Sequence, residues 1–505
     1  MLKQKNNRWE KLVLSILLLI GFLYRVNGQE VNYSFWTDEG HVAIFSRAII
    51  ERGRPVLING YSTGIYQWLE YWTSAVSAKL FGLSEFSLRL PTAIFGVLTI
   101  LVVYKLGKEL FVAEVGLLTA FLTTFLNIEI LYSRQLRPYQ AIQFFWILGA
   151  YLLVKTFKNI GGIKNVLWLV LCGILATLFH FMGVMFLINL FVLFPILQYK
   201  KLTKKKLFLL FITVLIPFIL LYIVIKPSFS NVGEFNNSYY YRVFLTHNYL
   251  PIFLLALFGL FFLIREKKYQ EFILFTVFLG IQIIFISTFL RQPFVRYLYP
   301  VFPFIILLAS YGIVGVESRI LDVWKRKDNN KINLTNEKNI QILISCVLTL
   351  IIILFLSKSN KLSLFPQKVY SLNEDMQEIP EIDWKNIYGF VKQYLSEDSS
   401  TILVTNWNDL PVWYLGEGYP QYLVRLEEWN VDPLSSAKII KSLEGFKKMV
   451  KENSKGIFVI DSWDNFVPDG VREYSQDNLK KELEVDRLYP TQPRYWPVTV
   501  YSWGI

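Results

Sequence analysis

Eleven apolar runs fill the first 356 residues, and their length leaves few folds open. They lie near 12–24, 92–111, 115–131, 139–157, 165–180, 182–198, 207–226, 248–264, 271–290, 297–316 and 340–356. A helix needs about 20 apolar residues to cross the hydrocarbon core of a bilayer. The pattern predicts an α-helical polytopic membrane protein with about 11 transmembrane helices. Charged residues are 18% of the chain, against about 25% in soluble domains, and the mean hydropathy is +0.38. The first run is short and extends toward Arg8. Its Lys-rich start resembles a signal peptide, but no small-residue cleavage site follows, so it reads as a span.

Charge distribution orients the spans. Residues 1–356 hold 35 Lys/Arg and 17 Asp/Glu, whereas 357–505 hold 17 and 22. The basic excess therefore belongs to the membrane part, which argues for orientation signals and anionic lipid, not nucleic acid. With the N-terminus cytoplasmic, the inside segments hold 23 Lys/Arg and the outside segments before the tail hold 12, as the positive-inside rule requires. Eleven spans place the C-terminal region outside the cytoplasm. Cys172 and Cys346 lie in apolar runs and form no disulfide framework or metal spacing. His41, His180 and His247 are too scattered for a histidine cage.

The composition changes near residue 357. The predicted domains are a transmembrane module, 1–356, with a structured first external loop, 25–91, and an extracytoplasmic α/β domain, 357–505. In the latter, Ile402–Thr405 and Ile457–Ile460 read as buried strands, and Trp384–Leu395 and Ser436–Val450 as helices. No glycine-rich phosphate loop follows either strand.

The first external loop carries FWTDEGHVAIFSRAIIERGRP at 35–55. Asp38 and Glu39 precede a stripe of Val42, Ile44, Phe45, Ala48, Ile49 and Ile50, with Arg47, Glu51 and Arg52 as polar partners, which predicts an amphipathic helix lying at the interface. A second helix is expected from about Ile65 to Phe81, with Trp68, Tyr71 and Trp72 as interfacial aromatics. A carboxylate placed here can serve as a base for an acceptor hydroxyl or amine, and Asp38 with Glu39 can offer hard oxygen ligands to a divalent metal. Asp is also a preferred N-cap residue, and capping and catalysis are compatible.

The segment WTDEGHVA, the later Tyr66, and KLFGLSEFSLRLPTAIFGVLTILVVYKLGKELF at 79–111 resemble the first loop and second span of GT-C glycosyltransferases. The nearer resemblance is to the branch of protein O-mannosyltransferases and the aminoarabinose transferase of lipid A. It implies a polyprenyl-phosphate sugar donor used on the outer face, with the aspartate of the Asp-Glu pair as catalytic base. That role falls on Asp38, with Glu39 in support and Tyr66 as a substrate contact. The stretch before Tyr66, Tyr61-Ser62-Thr63-Gly64-Ile65, departs from the Pro-Pro of many relatives.

Two basic clusters suit a lipid phosphate. LYSRQLRPYQ at 131–140 sets Arg134 and Arg137 three apart with Tyr139 beside them. On a continuing helix they would face one side, and guanidinium forks match phosphate oxygens. Snorkelling arginines at an interface look the same in sequence. RQPFVRYLYPVFPF at 291–304 supplies Arg291, Arg296 and Tyr297 at the mouth of a proline-distorted span. A protein-internal partner for Arg296, such as Glu129, is the competing expectation. Tyr241 stands in an aromatic loop, 227–247, able to stack on a sugar or to anchor at the interface.

The reading is an inverting membrane glycosyltransferase. Its donor is a polyprenyl-phosphate sugar, its acceptor a lipid, glycan or protein, and a divalent metal is the one cofactor admitted. A transporter or flippase of lipid-linked sugars is the alternative, but repeated halves and mid-membrane carboxylates are not evident.

Overall fold

The computed structural model describes residues 8–28, 34–158, 162–198, 244–246, 248–288, 294–327, 347, 350–351, 353–359, 361–367, 370, 381–488 and 495–505. The expected span at 207–226 lies outside the described residues, and that at 340–356 falls largely outside them. The chain groups into two compact units. The first holds Met1–Asn27, Thr92–Arg134 and Pro138–Glu378; the second holds Gly28–Pro91, Gln135–Arg137 and Ile379–Ile505. The long first loop thus groups with the C-terminal domain, and the linear division at residue 357 is not how the contacts gather.

The helices, in chain order, are α1 (Arg8–Val26), α2 (Thr37–Arg52), α3 (Trp68–Phe81), α4 (Glu85–Leu110), α5 (Ala113–Phe125), α6 (Asn127–Ser133), α7 (Tyr139–Phe157), α8 (Gly162–Phe179), α9 (Val184–Gln198), α10 (Leu250–Arg265), α11 (Tyr269–Thr288) and α12 (Phe302–Lys327). α1 does extend back to Arg8, as its short apolar run required. Among the described residues, α4, α7, α11 and α12 are long and apolar enough to cross a membrane, and four shorter apolar helices accompany them. The protein is an integral membrane protein.

In the first unit, small residues let helix backbones approach. A Cβ on Gly107 would lie 2.8 Å from Gly116 Cα, and one on Gly312 would lie 2.2 Å from Leu255 O. Without a solvent-driven hydrophobic force between helices in lipid, such close packing carries much of the association. The apolar run at 115–131 is two helices, not one. Leu126 is extended between α5 and α6, and the segment near Lys361 repairs the break: Asn127 N donates to Lys361 O at 2.9 Å, and Ser363 N to Phe125 O at 2.9 Å.

The second unit adds α13 (Trp384–Glu397), α14 (Asp409–Leu415), α15 (Leu443–Glu452) and α16 (Val471–Asn478). Its strands are β1 (Ile402–Thr405), β2 (Tyr422–Val424), β3 (Lys438–Ile440), β4 (Gly456–Asp461), β5 (Lys480–Val485) and β6 (Val498–Trp503). They form one sheet in the order β3-β2-β1-β4-β6-β5. β3, β2, β1 and β4 run parallel, and β6 and β5 are antiparallel. The expected α/β class, both strands and the helix from Trp384 are present. The helix expected over Ser436–Val450 begins only at Leu443, because Lys438–Ile440 is taken by the sheet edge and Ser442 caps the helix, accepting from Gly445 N.

α2 is not the interfacial amphipathic helix that its apolar stripe suggested. Val42, Ala43, Ile44, Phe45, Ala48 and Ile49 all enter one core with Leu403, Leu410, Val412 and Ile457 of the C-terminal domain. The polar partner Arg47 does not face water either. It donates to Trp413 O at 3.1 Å and Val412 O at 2.8 Å, adding a donor to the last-turn carbonyls of α14, where Val412 O also accepts from Gly416 N. α3 carries the exposed apolar side chains instead, among them Val76, Leu80 and Phe81.

Candidate active site

Asp38 and Glu39 open α2, and their environments are opposite. Trp36 is the N-cap residue, so Asp38 is not the cap. Glu39 does the capping, accepting from Trp36 N at 3.1 Å. It also accepts from Leu136 N at 2.6 Å and forms a two-pronged ion pair with Arg89, at 2.7 Å and 2.8 Å. Both side chains of that pair are 0% exposed. Arg89 is fixed further by Ser34 O at 3.1 Å and by the Phe35 ring at 4.7 Å. Glu39 is thus the joint that ties the start of α2 to α4 and to the 135–137 turn.

Asp38 points the other way. Its side chain is 47% exposed and is held by Arg137, 2.8 Å from Oδ2. The Arg137 guanidinium lies 4.2 Å above the Trp36 ring. One helical turn on, His41 Nδ1 is 3.4 Å from Asp409 Oδ1, at the start of α14. Burial pushes the Asp409 carboxyl above its ordinary range, opposed by the contact with His41. Gly40 permits this meeting of α2 and α14, since a Cβ there would already touch Leu410 Cδ2 at 3.3 Å and Asp409 Cβ at 3.4 Å. Tyr66 lies in the turn before α3, partly exposed.

The donor set does not suit the divalent metal expected at Asp38 and Glu39. Glu39 has its oxygens engaged by three donor groups, one of them a cation. Among the described residues, no group of three or more His, Cys, Asp or Glu side chains gathers as a ligand set.

The other arginines expected to hold a phosphate, Arg134 and Arg296, belong to the first unit. The helix stops at Ser133, and Pro138 starts the next one, so Arg134 and Arg137 do not share a helical face. Arg134 is buried and donates to Tyr24 O at 2.8 Å and Asn27 O at 2.6 Å, closing the end of α1 where a cation complements the helix dipole. Tyr139 is buried between the rings of Tyr132 and His180. Arg296 lies on a 3-10 turn, over the rings of Phe294 at 3.9 Å and Tyr297 at 5.6 Å. Arg291 and Tyr241 lie outside the described residues.

Glu129 accepts from Tyr299 OH at 3.1 Å and Gln143 Nε2 at 3.2 Å, not from Arg296. Tyr299 also bonds Gln140, whose Nε2 reaches Thr99 at 3.1 Å. Arg25 adds Nε to Ser133 Oγ at 3.0 Å. A buried ionisable network within a membrane bundle is a functional candidate by its expense alone. The pairing of Glu129 with Tyr299 escapes sequence reading because the two are 170 residues apart along the chain. The sequence marks Glu129 as a candidate internal partner, and Tyr299 stands in the Arg-Tyr-x-x-Pro cluster.

The model of the family of dolichyl-phosphate-mannose-protein mannosyltransferases matches residues 68–223, beginning downstream of Asp38. No curated protein matches the chain. Among solved structures, ArnT from Cupriavidus metallidurans in the apo state matches with a TM-score of 0.60 and 14% identity, covering 98% of this chain and 97% of that one. The same protein bound to undecaprenyl phosphate gives 0.58 and 14%, covering 98% of both chains. The Archaeoglobus fulgidus oligosaccharyltransferase in the apo form gives 0.56 and 12%, covering 90% of this chain and 70% of that one. The chain therefore has a GT-C fold and resembles the O-mannosyltransferase and aminoarabinose transferase branch.

Proposed function

We propose that the protein is an inverting membrane glycosyltransferase that moves a sugar from a polyprenyl-phosphate donor to an acceptor on the extracytoplasmic side. The observation that carries the reading is the division of labour in the Asp-Glu pair. Glu39 is sealed into an ion pair, while its neighbour Asp38 is half exposed and held by Arg137. A structural pair would bury both carboxylates; a reactive one needs a rigid support and an accessible base.

In the proposed reaction Asp38 takes the proton from the acceptor as its oxygen or nitrogen bonds to the anomeric carbon. The bond from that carbon to phosphate breaks, and its electron pair leaves with the polyprenyl phosphate. Arg137 orients Asp38, and Glu39 with Arg89 fixes the helix start beneath it. Arg296, with Arg291 and Tyr297, is the proposed phosphate contact. Arg134, engaged with α1, has a structural role in this scheme. Support for the donor class comes from the solved ArnT complex with undecaprenyl phosphate. The cytoplasmic N-terminus follows from the loop charges.

The test is release of undecaprenyl phosphate from a labelled undecaprenyl-phosphate hexose by the full-length protein in liposomes. Asp38→Asn is expected to lower the rate by about 10²–10⁴-fold, the usual contribution of a positioned base. Undiminished release removes Asp38 from the reaction. Movement of intact donor across the membrane without release marks a transporter.

A further inference from the structure

Beside Asp38 the second unit assembles a pair that the proposed reaction has not used. His41 lies three residues after Asp38, so the two side chains share a face of α2 about 5–6 Å apart at Cβ. Asp409 comes from the C-terminal domain, 368 residues after His41 in the chain, and meets His41 Nδ1 at 3.4 Å. The side chains of His41 and Asp409 are 24% and 16% exposed. The ring is therefore supported at Nδ1 and is not sealed from solvent. Phe45 lies 5.0 Å from the imidazole and Tyr71 6.4 Å.

A carboxylate can only accept, so a neutral His41 ring facing Asp409 carries its proton on Nδ1 and presents Nε2 as an acceptor. Two acceptors then stand side by side, Asp38 and His41 Nε2. A lone hydroxyl has one proton and cannot serve both. A sugar with adjacent hydroxyls can, giving one proton to Asp38 and the neighbouring O–H to His41. The local charge favours the same class. Asp38 and Asp432 both act on Asp409, Tyr61 feels both Asp409 and Asp432, and Arg137 is an ion-pair partner of Asp38. Such a field disfavours a phosphorylated or acidic acceptor, whereas carboxylates and aromatic rings are what neutral sugars bind.

We propose that His41, fixed by Asp409, selects the acceptor of the transfer reaction, and that this acceptor is a neutral glycan presenting adjacent hydroxyls. The inference rests on Asp38 being the base of a glycosyltransferase. His41 is the acceptor contact, and Asp409 is a positioning residue that acts through it. The C-terminal domain thereby supplies part of the acceptor site.

The experiment uses the full-length protein in native membranes supplied with undecaprenyl phosphate carrying a radiolabelled hexose. The readout is the ratio of label in envelope glycan to label released as free hexose, where water has been the acceptor. Asp409→Asn and His41→Phe are each expected to shift that ratio at least about 10-fold toward free hexose, whatever the total rate, and Asp409→Glu to recover part of it. Misfolding would lower both products together and leave the ratio alone. An unchanged ratio in Asp409→Asn, or wild-type label found in protein or in phosphorylated lipid, overturns the proposal. Ring-nitrogen NMR of the three histidines, with His41→Phe for assignment, is expected to show Nδ1 protonated at His41 and that preference lost in Asp409→Asn. A proton on Nε2 in the wild type overturns the proposal as well. Wild-type protein that releases no undecaprenyl phosphate overturns the transferase reading itself, which separates the two failures.

Discussion

Replacing Glu39 by Gln keeps the shape of the side chain and removes its charge, so it asks whether this residue is an anchor or a reacting group. At 2.7 Å and an effective dielectric near 20, the gross attraction to Arg89 is about 6 kcal/mol. Desolvation of two fully buried ions offsets much of that. The substitution does not restore the desolvation, because Arg89 stays buried. A Gln amide facing the guanidinium sets donor against donor. Breaking a buried pair on one side costs about 3–5 kcal/mol. One Gln oxygen can still accept from Leu136 N or Trp36 N, which favours the lower end. For a unit of this size each kcal/mol moves the midpoint by about 2–4 °C, so Glu39→Gln is expected to lower the apparent unfolding midpoint by roughly 10 °C. Thermal unfolding of the detergent-solubilised protein, followed by tryptophan fluorescence, measures it. Asp38→Asn is the paired control: half exposed, it is expected to move the midpoint by no more than about 2 °C while losing transfer. Replacing Glu39 and Arg89 together by Met is expected to recover part of the loss. A Glu39→Gln protein of unchanged midpoint and absent activity would refute the anchor and return Glu39 to the chemistry.

Three further outcomes follow from single contacts. Arg137→Gln removes the cation 2.8 Å from Asp38, and a misplaced base is expected to lower kcat by about 10–100-fold in the undecaprenyl phosphate release assay; an unaffected kcat would show that Asp38 needs no such support. Gly96→Ala puts a methyl 2.5 Å from Arg25 Nε and 2.6 Å from Ser133 Oγ, and is expected to destabilise by about 1–3 kcal/mol, read as a fall in midpoint that an Arg25→Ala background lessens but, with Ser133 still crowding the methyl, does not abolish. The pH dependence of Asp409 has a defined sign. Burial raises its folded carboxyl above the ordinary 3.8, so its contribution to stability is complete below that value and is lost as pH rises through the raised one. Asn lacks this loss. The midpoint of Asp409→Asn relative to wild type should therefore rise between pH 4 and pH 7, and a gap that narrows over this range contradicts the assigned direction.

What the sequence revealed, and what it hid, follows from the range of each signal. Bilayer thickness imposes a length on every span, so α7 could be bounded at Tyr139 and Phe157 from hydropathy alone. The strand from Ile402 and the helix from Trp384 were equally local signals. The break at Leu126 was not visible, because its stability depends on hydrogen bonds from Lys361 and Ser363, over 230 residues away. The same limit applied at the candidate site. A buried Glu and an exposed Asp are the same dipeptide in sequence, and contacts such as those of Glu39 with Arg89 and the Leu136 amide distinguish them. The apolar stripe of α2 said that one face must leave water, but not whether lipid or protein would cover it. The C-terminal domain covers it, and so the helix that begins with the proposed base is part of that domain's core. A lesion in the domain, far downstream of Asp38 in the chain, should then act on transfer through α2. Leu410→Ala, which removes a fully buried side chain packed on Gly40, is expected to cost about 2–5 kcal/mol. It should lower transfer and loosen protection of the α2 amides together in hydrogen exchange. Transfer lost with α2 still fully protected would mean that the domain acts on substrate directly and not by holding the helix.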